Sequence, residues 1–386
     1  MKIAIVGNYG NNNNGDEAIL LGILTQLTEN FNVSVNDIIV FSNNPKQTEE
    51  RYGVKSYPLY YKTHSVLRTS IQTVRKAYEY LKDVDVVIIG GGGILMDLYK
   101  REAPLFGSYG IVGRRRGAHV IVYGCGAGPV NSYIGRTFLR RLAKASHSIS
   151  VRDPKSKVLL QSIGINKTIE TIGDPAFNLA SPYKHTPTKA IQKIGVTAVP
   201  YYSKEYWPQT DEKVYKSYIH MMARNLDQCI RENQVEVTFF STKYPQDVQV
   251  SVDIVKEMKE KESVQIIEEN LSPADIMRVS SQQDVVIGTR LHSLILALNA
   301  ETPVIGVSYH EKVESFMEMI GLGNNCFSID ALEQSSTLFS NTLFELNEDW
   351  QAVQANTVTI ASKLKEKAAK GLKQFSMLPP KGKKNE

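Results

Sequence analysis

The sequence alternates short apolar, β-branched runs with longer helix-compatible segments, and the runs end in glycine, serine or asparagine. This alternation is typical of parallel sheets that are covered by helices on both faces. In the first half it predicts strands at 2–6, 37–41, 84–89, 119–123, 146–151 and 169–172, with helices at 16–27, 66–81 and 133–145. In the second half it predicts strands at 193–199, 235–240, 264–267, 284–287 and 302–307, with helices at 212–231 and 247–260.

A polar stretch with two prolines, residues 181–187, interrupts this alternation and predicts a surface connection. The chain has 386 residues, which is longer than a single hydrophobic core usually grows. We therefore predict an α/β fold with two Rossmann-like domains facing across a cleft, where ligands of this class bind at the carboxyl ends of the strands. The predicted segments are an N-terminal domain over 1–183, a C-terminal domain over 190–345, a C-terminal helix over 346–375 and a disordered basic tail over 376–386.

Composition and apolar runs exclude several classes of protein. The formal net charge of +5 is too small and too dispersed to indicate a nucleic-acid partner. No apolar run reaches the roughly 18 residues that span a bilayer, and the first run is too short for a signal peptide. The three cysteines are far apart and fit a reducing cytosol, so we expect a cytoplasmic protein. The lysines of the tail could contact an anionic membrane surface from the inner face, although a solvated tail is the simpler interpretation.

The strongest local signal is the sequence Gly288-Thr289-Arg290-Leu291-His292, which follows the predicted strand 284–287. With Thr289 as the predicted N-cap, Arg290 and His292 fall in the first turn of a helix. Backbone N–H groups and the helix dipole favour an anion there, and a cation would repel the helix end unless a bound anion offsets the repulsion. The alternative is that Arg290 pairs with a local acid and His292 is a hydrogen-bonded core histidine.

Lys312 follows the next predicted strand, where Ser308 and Glu311 have the spacing of a capping box. Successive strand-to-helix turns of one sheet open on the same edge, so Lys312 is expected near Arg290 and His292. By itself Lys312 would be interpreted as a solvated surface lysine.

Arg152 lies at the same kind of position in the first half, at the end of the predicted strand 146–151. Asp153 is the predicted N-cap of the following helix, and Pro154 is its first residue. This placement puts Arg152 at the carboxyl edge of the sheet. An ion pair with Asp153 or Asp174 is the alternative role for this arginine.

Three glycine-rich turns, 7–17, 90–93 and 124–129, follow predicted strands of the first half. Such turns permit close approach of a ligand, or simply tight packing of the chain on itself. They carry neither the dinucleotide fingerprint nor the lysine of a P-loop, whereas their Asn and Asp residues suit sugar hydroxyls. Cys125 in the third turn has no histidine paired with it by pattern, so we do not expect a nucleophile there. No spacing of ligands indicates a metal site.

Together these motifs resemble the polysaccharide pyruvyl transferase family. The resemblance is carried by Asn14-Gly15-Asp16-Glu17, Gly90 to Gly93, Ser150-Val151-Arg152-Asp153, Gly173-Asp174-Pro175, Gly288 to His292, and Lys312 after Tyr309. It implies a fold like that of GT-B glycosyltransferases, phosphoenolpyruvate as the donor substrate, and a sugar of a bacterial cell-surface glycan as the acceptor. The residues His310-Glu311 ahead of Lys312 differ from those expected at this point in the family.

On this resemblance we expect a cofactor-independent transferase that forms a cyclic pyruvate ketal on a polysaccharide sugar. Phosphoenolpyruvate carries a carboxylate and a phosphate, which arginine, lysine and histidine bind by charge-assisted hydrogen bonds. The expected donor-binding residues are Arg152, Arg290, Leu291, His292 and Lys312. Of these, Arg152, Arg290 and His292 are the expected catalytic residues, with His292 as the acid that protonates the enol methylene. The expected ligands of the sugar or lipid-linked saccharide acceptor are Asn14, Asp16 and Gly92.

Two other functions stay open at this point. A GT-B glycosyltransferase that uses a nucleotide sugar would share the two-domain plan, and only its ligand would differ. In a non-catalytic glycan-binding protein, the cluster of Arg, His and Lys residues would have no function. The acceptor sugar and the oligomeric state do not follow from the sequence.

Overall fold

The computed structural model describes residues 1–98, 100–207 and 209–377. The chain forms two compact units, and neither is contiguous in sequence. The first contains Met1–Asn11, Asp16–Ala180 and the chain from Leu364 onward, and the second contains Asn12–Gly15 and Ser181–Lys363. Each unit is built around one parallel β-sheet.

The sheet of the first unit has seven strands. They are β1 Ile3–Val6, β2 Ile38–Ser42, β3 Lys55–Pro58, β4 Val86–Gly90, β5 His119–Cys125, β6 Ser148–Val151 and β7 Glu170–Thr171. Their order across the sheet is β3-β2-β1-β4-β5-β6-β7, so the direction of winding reverses between β1 and β4. In sheets of this type, ligands bind beyond the carboxyl ends of the strands at that reversal. All four residues of β1 are fully buried, because helices cover both faces of the sheet.

Six α-helices belong mainly to the first unit. They are α1 Asn14–Thr25, α2 Pro45–Tyr52, α3 Val66–Tyr80, α4 Glu102–Arg115, α5 Tyr133–Ala145 and α6 Pro154–Ser162. Shorter helical turns occupy Gln26–Asn30, Val35–Asp37, Pro175–Asn178 and Lys370–Met377.

The sheet of the second unit repeats the same plan with six strands. They are β8 Lys193–Thr197, β9 Glu236–Phe239, β10 Val264–Ile266, β11 Val285–Gly288, β12 Val304–Ser308 and β13 Cys326–Ser328. Their order is β10-β9-β8-β11-β12-β13, and the reversal falls between β8 and β11. The helices are α7 Glu212–Asn233, α8 Gln246–Glu257, α9 Pro273–Ser281, α10 Leu291–Asn299, α11 Glu311–Met319, α12 Ile329–Gln334 and α13 Leu338–Glu348. Helix α14, Trp350–Ala369, begins in this unit, and its residues from Leu364 onward belong to the first unit. Helical turns at Lys261–Ser263 and Gly323–Asn325 complete this unit.

The predicted fold class, α/β with two Rossmann-like parts, is confirmed by these two parallel sheets. The elements that the sequence prediction missed include β3, β13 and α4. Helix α4 contains Gly107, Gly110 and Gly113, which resemble loop glycines in sequence. In the structure they allow close packing, because a Cβ at Gly110 would lie 2.2 Å from Leu142 Cδ1 of α5.

The predicted C-terminal helix over 346–375 is divided in the structure. Helix α13 ends at Glu348, α14 runs from Trp350 to Ala369, and a 3₁₀ segment follows to Met377. Most of the predicted tail, residues 378–386, lies outside the described residues. Among the described helices, none is both long and apolar enough to cross a membrane.

Candidate functional site

Arg290 and His292 lie at the carboxyl end of β11, one of the two strands at the reversal of the second sheet. Helix α10 begins at Leu291, so His292 is in its first turn and Arg290 is the N-cap residue. The prediction of Thr289 as the N-cap is therefore wrong. The Thr289 backbone N–H and side-chain hydroxyl both donate to the carbonyl oxygen of Thr197 in β8, which extends the pairing of the two strands by one residue.

The guanidinium of Arg290 is held by the carboxylate of Asp247. Arg290 Nε lies 3.0 and 2.8 Å from the two oxygens of Asp247, and Nη2 lies 2.6 Å from Oδ1. The Asp247 side chain is fully buried and that of Arg290 is 12% exposed. Burial lowers the pKa of Arg290, but the charge of Asp247, its hydrogen bonds to the guanidinium and the neighbouring Tyr206 and Tyr309 together raise the pKa more. The pKa therefore lies above its ordinary value and the side chain stays charged.

Asp247 also fixes the turn that precedes its own helix. Its Oδ2 accepts hydrogen bonds from the backbone N–H of Thr242 and of Lys243, at 3.2 and 2.8 Å. A buried carboxylate with this many donors has little freedom to move. The pairing of Arg290 with an acid, considered above as the alternative role, is therefore present, and it sets the direction in which the guanidinium points.

Tyr206 contacts Arg290 on another edge. Arg290 Nη1 donates to the Tyr206 hydroxyl at 3.2 Å, and the guanidinium carbon lies 5.0 Å from the centroid of the tyrosine ring. A guanidinium has five N–H donors. One N–H on each of Nη1 and Nη2 remains outside the bonds to Asp247 and Tyr206, so Arg290 retains two donors with which it can bind an anion.

Sequence reasoning missed the aromatic residues beside Arg290. Tyr201, Tyr202 and Trp207 lie in the segment between β8 and α7, and Tyr309 follows β12. The Trp207 ring is 5.4 Å from Tyr202, 5.2 Å from Tyr201 and 5.7 Å from Tyr309, measured between centroids. The run of four aromatic residues in 201–207, directly after a strand at the reversal, is the sequence signal that could have found this cluster.

His292 packs against Gly15. A Cβ added to Gly15 would lie 2.2 Å from His292 Nδ1 and 2.5 Å from its Cγ, so only glycine leaves room for the ring. The segment that carries Gly15 is fixed to the second unit by a hydrogen bond from Asn14 N to the Thr242 carbonyl oxygen, at 2.8 Å. The structure thus brings two distant motifs together, residues 14–15 and residues 290–292.

The side chain of Asn14 is fully buried, yet neither atom of its amide group has a hydrogen-bond partner among the described residues. A buried amide that is left unsatisfied loses roughly 1–3 kcal/mol of stability. This residue therefore has unused capacity to donate to and accept from a bound hydroxyl group or water molecule.

Lys312 lies in the first turn of α11, directly after β12, which pairs with β11. The structure therefore places Lys312 at the same edge of the same sheet as Arg290. The predicted capping box of Ser308 and Glu311 is wrong. The N-cap residue is His310, whose Nδ1 accepts from Lys312 N at 3.2 Å, while the Ser308 hydroxyl donates to the His310 carbonyl oxygen.

Arg152 of the first unit is paired with Asp174. Its Nη1 donates to Asp174 Oδ2 at 2.8 Å, and the two side chains are only 8% and 4% exposed. Burial lowers the pKa of Arg152, but the charge and hydrogen bond of Asp174, with the charges of Asp153 and Asp16, together raise the pKa more, so the net shift is upward. The other edge of the guanidinium, Nε and Nη2, lies over Gly126, where an added Cβ would be 3.2 Å from both nitrogens.

The capping predictions for the β6–α6 turn are confirmed. Asp153 Oδ1 accepts from Ser156 N at 2.7 Å, and Pro154 is the first residue of α6. The Ser156 hydroxyl in turn accepts from Ala127 N at 2.8 Å. These bonds fix the glycine-rich turn after β5 to the turn that carries Arg152.

Asp16 and Gly92 lie together in the first unit. Asn8 Nδ2 donates to Asp16 Oδ2 at 3.0 Å, and a Cβ at Gly92 would be 2.9 Å from Asp16 Oδ1. Gly92 has a φ of +69°, a conformation that glycine adopts without strain. The charge of Asp16 is among those that raise the pKa of Arg152, so these residues share one electrostatic environment.

The glycine turns divide into two groups. A Cβ at Gly91 would lie 1.9 Å from Ile19 Cγ2, and one at Gly124 would lie 2.5 Å from Pro175 Cγ, so these two glycines serve internal packing. Gly15, Gly92 and Gly126 instead lie against the three predicted site residues His292, Asp16 and Arg152. Tight packing therefore explains Gly91 and Gly124, and a binding surface at the other three glycines stays a prediction.

Cys125 is fully buried, and burial raises the pKa of its thiol to about 12. The thiolate form that a nucleophile requires is scarce at neutral pH. Within the described part of the chain, no group of three or more His, Cys, Asp or Glu side chains could hold a metal ion.

Comparison with known proteins places this chain in a family. The model of the polysaccharide pyruvyl transferase family matches residues 13–311. The amylovoran biosynthesis protein AmsJ of Erwinia amylovora is 21% identical over 380 residues, which cover 88% of this chain and 90% of AmsJ.

Solved structures with low sequence identity share the fold. HepE of Anabaena, in complex with UDP and glucose, is 13% identical with a TM-score of 0.62 and 98% of each chain covered. The UDP-GlcNAc 2-epimerase of Neisseria meningitidis, bound to UDP-GlcNAc, is 12% identical with a TM-score of 0.60, and 98% of this chain and 100% of that chain are covered. At this identity the likeness shows a GT-B-like fold alone. By the family match across most of its length, the chain belongs to the polysaccharide pyruvyl transferases, a family of transferases in polysaccharide biosynthesis.

Proposed function

We propose that this protein transfers the pyruvyl group of phosphoenolpyruvate to a sugar of a cell-surface polysaccharide and forms a cyclic pyruvate ketal. The main support for the proposal is the arrangement of side chains at the carboxyl end of β11. There, a charged arginine oriented by the buried Asp247 lies next to His292 in the first turn of a helix. Backbone N–H groups, a fixed guanidinium and a titratable ring at one helix start suit a small anion that undergoes proton transfer.

The donor carries a carboxylate and a phosphate on a three-carbon frame. We propose that Arg290, His292, Lys312 and the backbone at Leu291 bind it, and that Arg152 of the first unit binds the same molecule. Arginine suits the planar, bidentate part of this recognition, and each charge-assisted bond contributes roughly 1.5–3 kcal/mol. The Nε and Nη2 edge of Arg152 lies outside its bond to Asp174, which supports this role.

In the proposed reaction, protonated His292 delivers its proton to the methylene carbon of phosphoenolpyruvate, which becomes a methyl group. The electron pair of the double bond forms the new C–H bond and leaves an oxocarbenium-like centre at the neighbouring carbon. One sugar hydroxyl attacks that carbon and loses its proton to a base. A second hydroxyl then displaces phosphate, which leaves with the second proton as inorganic phosphate. Arg290, Arg152 and Lys312 stabilise the charge of the leaving group.

For the acceptor, a free or lipid-linked saccharide, we propose Asn14, Asp16 and Gly92. The buried, unsatisfied amide of Asn14 can both donate to and accept from a sugar hydroxyl. The Asp16 carboxylate can accept a proton from the attacking hydroxyl, and Gly92 leaves space beside that carboxylate which a side chain would fill.

The direct test is the variant His292→Ala, assayed for acceptor-dependent release of phosphate from phosphoenolpyruvate. Transfer should be abolished while the thermal unfolding curve stays that of a folded protein. His220→Ala is the matched control, because His220 has an exposed side chain on α7 and should be dispensable. Near-normal turnover by His292→Ala would remove this residue from the mechanism.

A glycosyltransferase that uses a nucleotide sugar is the second candidate, because HepE, with the same fold, was solved with UDP-glucose. A thermal-shift panel separates the two. A ligand present at 100 times its Kd stabilises the folded state by about 2.7 kcal/mol. We expect protection by phosphoenolpyruvate and none by UDP-sugars, and protection by a UDP-sugar alone would favour the second candidate. Protection by a glycan alone would favour a non-catalytic binding protein.

A further inference from the structure

Helix α3 exposes an apolar stripe to solvent. Leu67, Ile71, Val74 and Tyr78 have the spacing i, i+4, i+7 and i+11, so they lie on one side of the helix. Their exposed fractions are 69%, 59%, 38% and 48%, and Val66, at the first turn, is 79% exposed. We call Leu67, Ile71, Val74 and Tyr78 the α3 stripe.

A different side of α3 faces the interior of the first unit. Thr73 and Ala77, which lie four residues apart, are only 4% and 2% exposed. Tyr80, at the end of the helix, also packs on this unit, with its ring 3.9 Å from that of Tyr57. The helix is therefore attached through Thr73, Ala77 and Tyr80, whereas the large apolar residues of the α3 stripe point outward. Single exposed apolar residues are common, but a contiguous stripe of four along one helix marks an interaction surface.

The border of the α3 stripe is positively charged. Arg68 and Arg75 each follow a stripe residue directly in sequence and are exposed. The guanidinium carbon of Arg116, which follows α4, lies 4.3 Å from the centroid of the Tyr78 ring.

The acidic side chain of α3 is already paired. Glu79 is bound to Lys76 at 2.9 Å, so its charge is offset locally. Acidic Asp83 follows the helix next to basic Lys82. The charge around the stripe is therefore cationic, and it complements a negatively charged surface.

We propose that α3 docks on the surface of an anionic lipid bilayer, with the α3 stripe inserted at the level of the headgroups and the arginines bound to lipid phosphates. A helix with a large apolar side, a tyrosine and flanking arginines is the kind that lies in the plane of a membrane interface, inserted by about 5–10 Å. Lipid is favoured over a protein partner because the apolar residues lie along one line of the helix and the unpaired charges at their border are positive. This inference does not depend on the proposed reaction.

The test is co-sedimentation of the full chain with vesicles of phosphatidylcholine alone and of phosphatidylcholine mixed with phosphatidylglycerol. We expect binding to the anionic vesicles and a loss of binding as salt is raised. The variant Leu67→Asp/Ile71→Asp should weaken the partition coefficient at least tenfold, because the buried apolar area is lost. Each of Arg68→Ala and Arg75→Ala should weaken it about fivefold.

Val158→Asp is the matched control, because Val158 is an apolar residue on α6 that is 64% exposed and lies outside the α3 stripe. It should bind vesicles as the wild type does. All of these positions are on the surface, and circular dichroism checks that each variant is folded. Binding of Leu67→Asp/Ile71→Asp equal to that of the wild type would overturn the proposal. So would a wild-type dimer that this variant converts to a monomer, because the stripe would then be an interface between two copies of the chain.

Discussion

Adding a methyl group at Gly15 should displace the ring of His292 without removing any side chain from the site. A Cβ at this position would lie 2.2 Å from His292 Nδ1 and 2.9 Å from its Cβ, whereas ordinary contacts begin near 3.4 Å. The ring must therefore move by roughly 1.2 Å, and a misplacement of about 1 Å can lower a rate ~100-fold. We expect Gly15→Ala to lower kcat by about two orders of magnitude.

The backbone gives no other reason for such a loss. Gly15 is the second residue of α1, and its φ is outside the left-handed range that favours glycine, so alanine fits the backbone there. The measurement is the initial rate of phosphate release at saturating phosphoenolpyruvate and acceptor, with thermal unfolding measured in parallel. The control is Gly323→Ala, where the nearest atom to the added Cβ would be 3.6 Å away. A Gly15→Ala enzyme with the kcat of the wild type would refute the reasoning.

Three further predictions concern residues around the site. Asp247→Ala leaves the Arg290 charge unpaired and should lower the free energy of unfolding in urea by about 3–5 kcal/mol. Adding Arg290→Met should recover part of this loss, and an unchanged free energy of unfolding in Asp247→Ala would contradict the role of Asp247. Because the pKa of the buried Cys125 thiol is raised to about 12, a thiol reagent at pH 8 should modify Cys125 only after unfolding, and rapid labelling of the folded protein would be the contrary result. Gly126→Ala crowds Arg152 at 3.2 Å and should raise the KM for phosphoenolpyruvate about tenfold with the unfolding temperature little changed; a normal KM would show that this edge of the arginine is not used.

Most of the fold follows from the sequence because a parallel sheet buried on both faces needs near-continuous apolar strands. Buried strands such as β1 and β4 have that pattern and were predicted within two residues of their bounds. The edge strands β3 and β13, with sequences Lys-Ser-Tyr-Pro and Cys-Phe-Ser, are short and lack it. These strands are stabilised by pairing with one neighbouring strand and not by their own composition. A short stretch of sequence does not reveal that pairing.

The site residues were predictable where a local sequence rule fixes their position in the fold. Contacts between residues that are distant in sequence were not predictable. The strand-to-helix rule placed Arg290, His292 and Lys312 at one sheet edge. The partner Asp247 is 43 positions away from Arg290 in sequence, and no spacing rule connects them. The contact of Gly15 with His292 is equally remote, although the sequence did identify both motifs.

In the proposed mechanism, Arg152 and Arg290 bind the same molecule of phosphoenolpyruvate. The measurement is isothermal titration of phosphoenolpyruvate into the wild type, Arg152→Lys and Arg290→Lys. Lysine keeps a positive charge beside Asp174 or Asp247 but loses the planar pair of donors. We predict one site per chain in the wild type and a Kd raised about 10- to 100-fold in each variant. Wild-type affinity in either variant would contradict the claim.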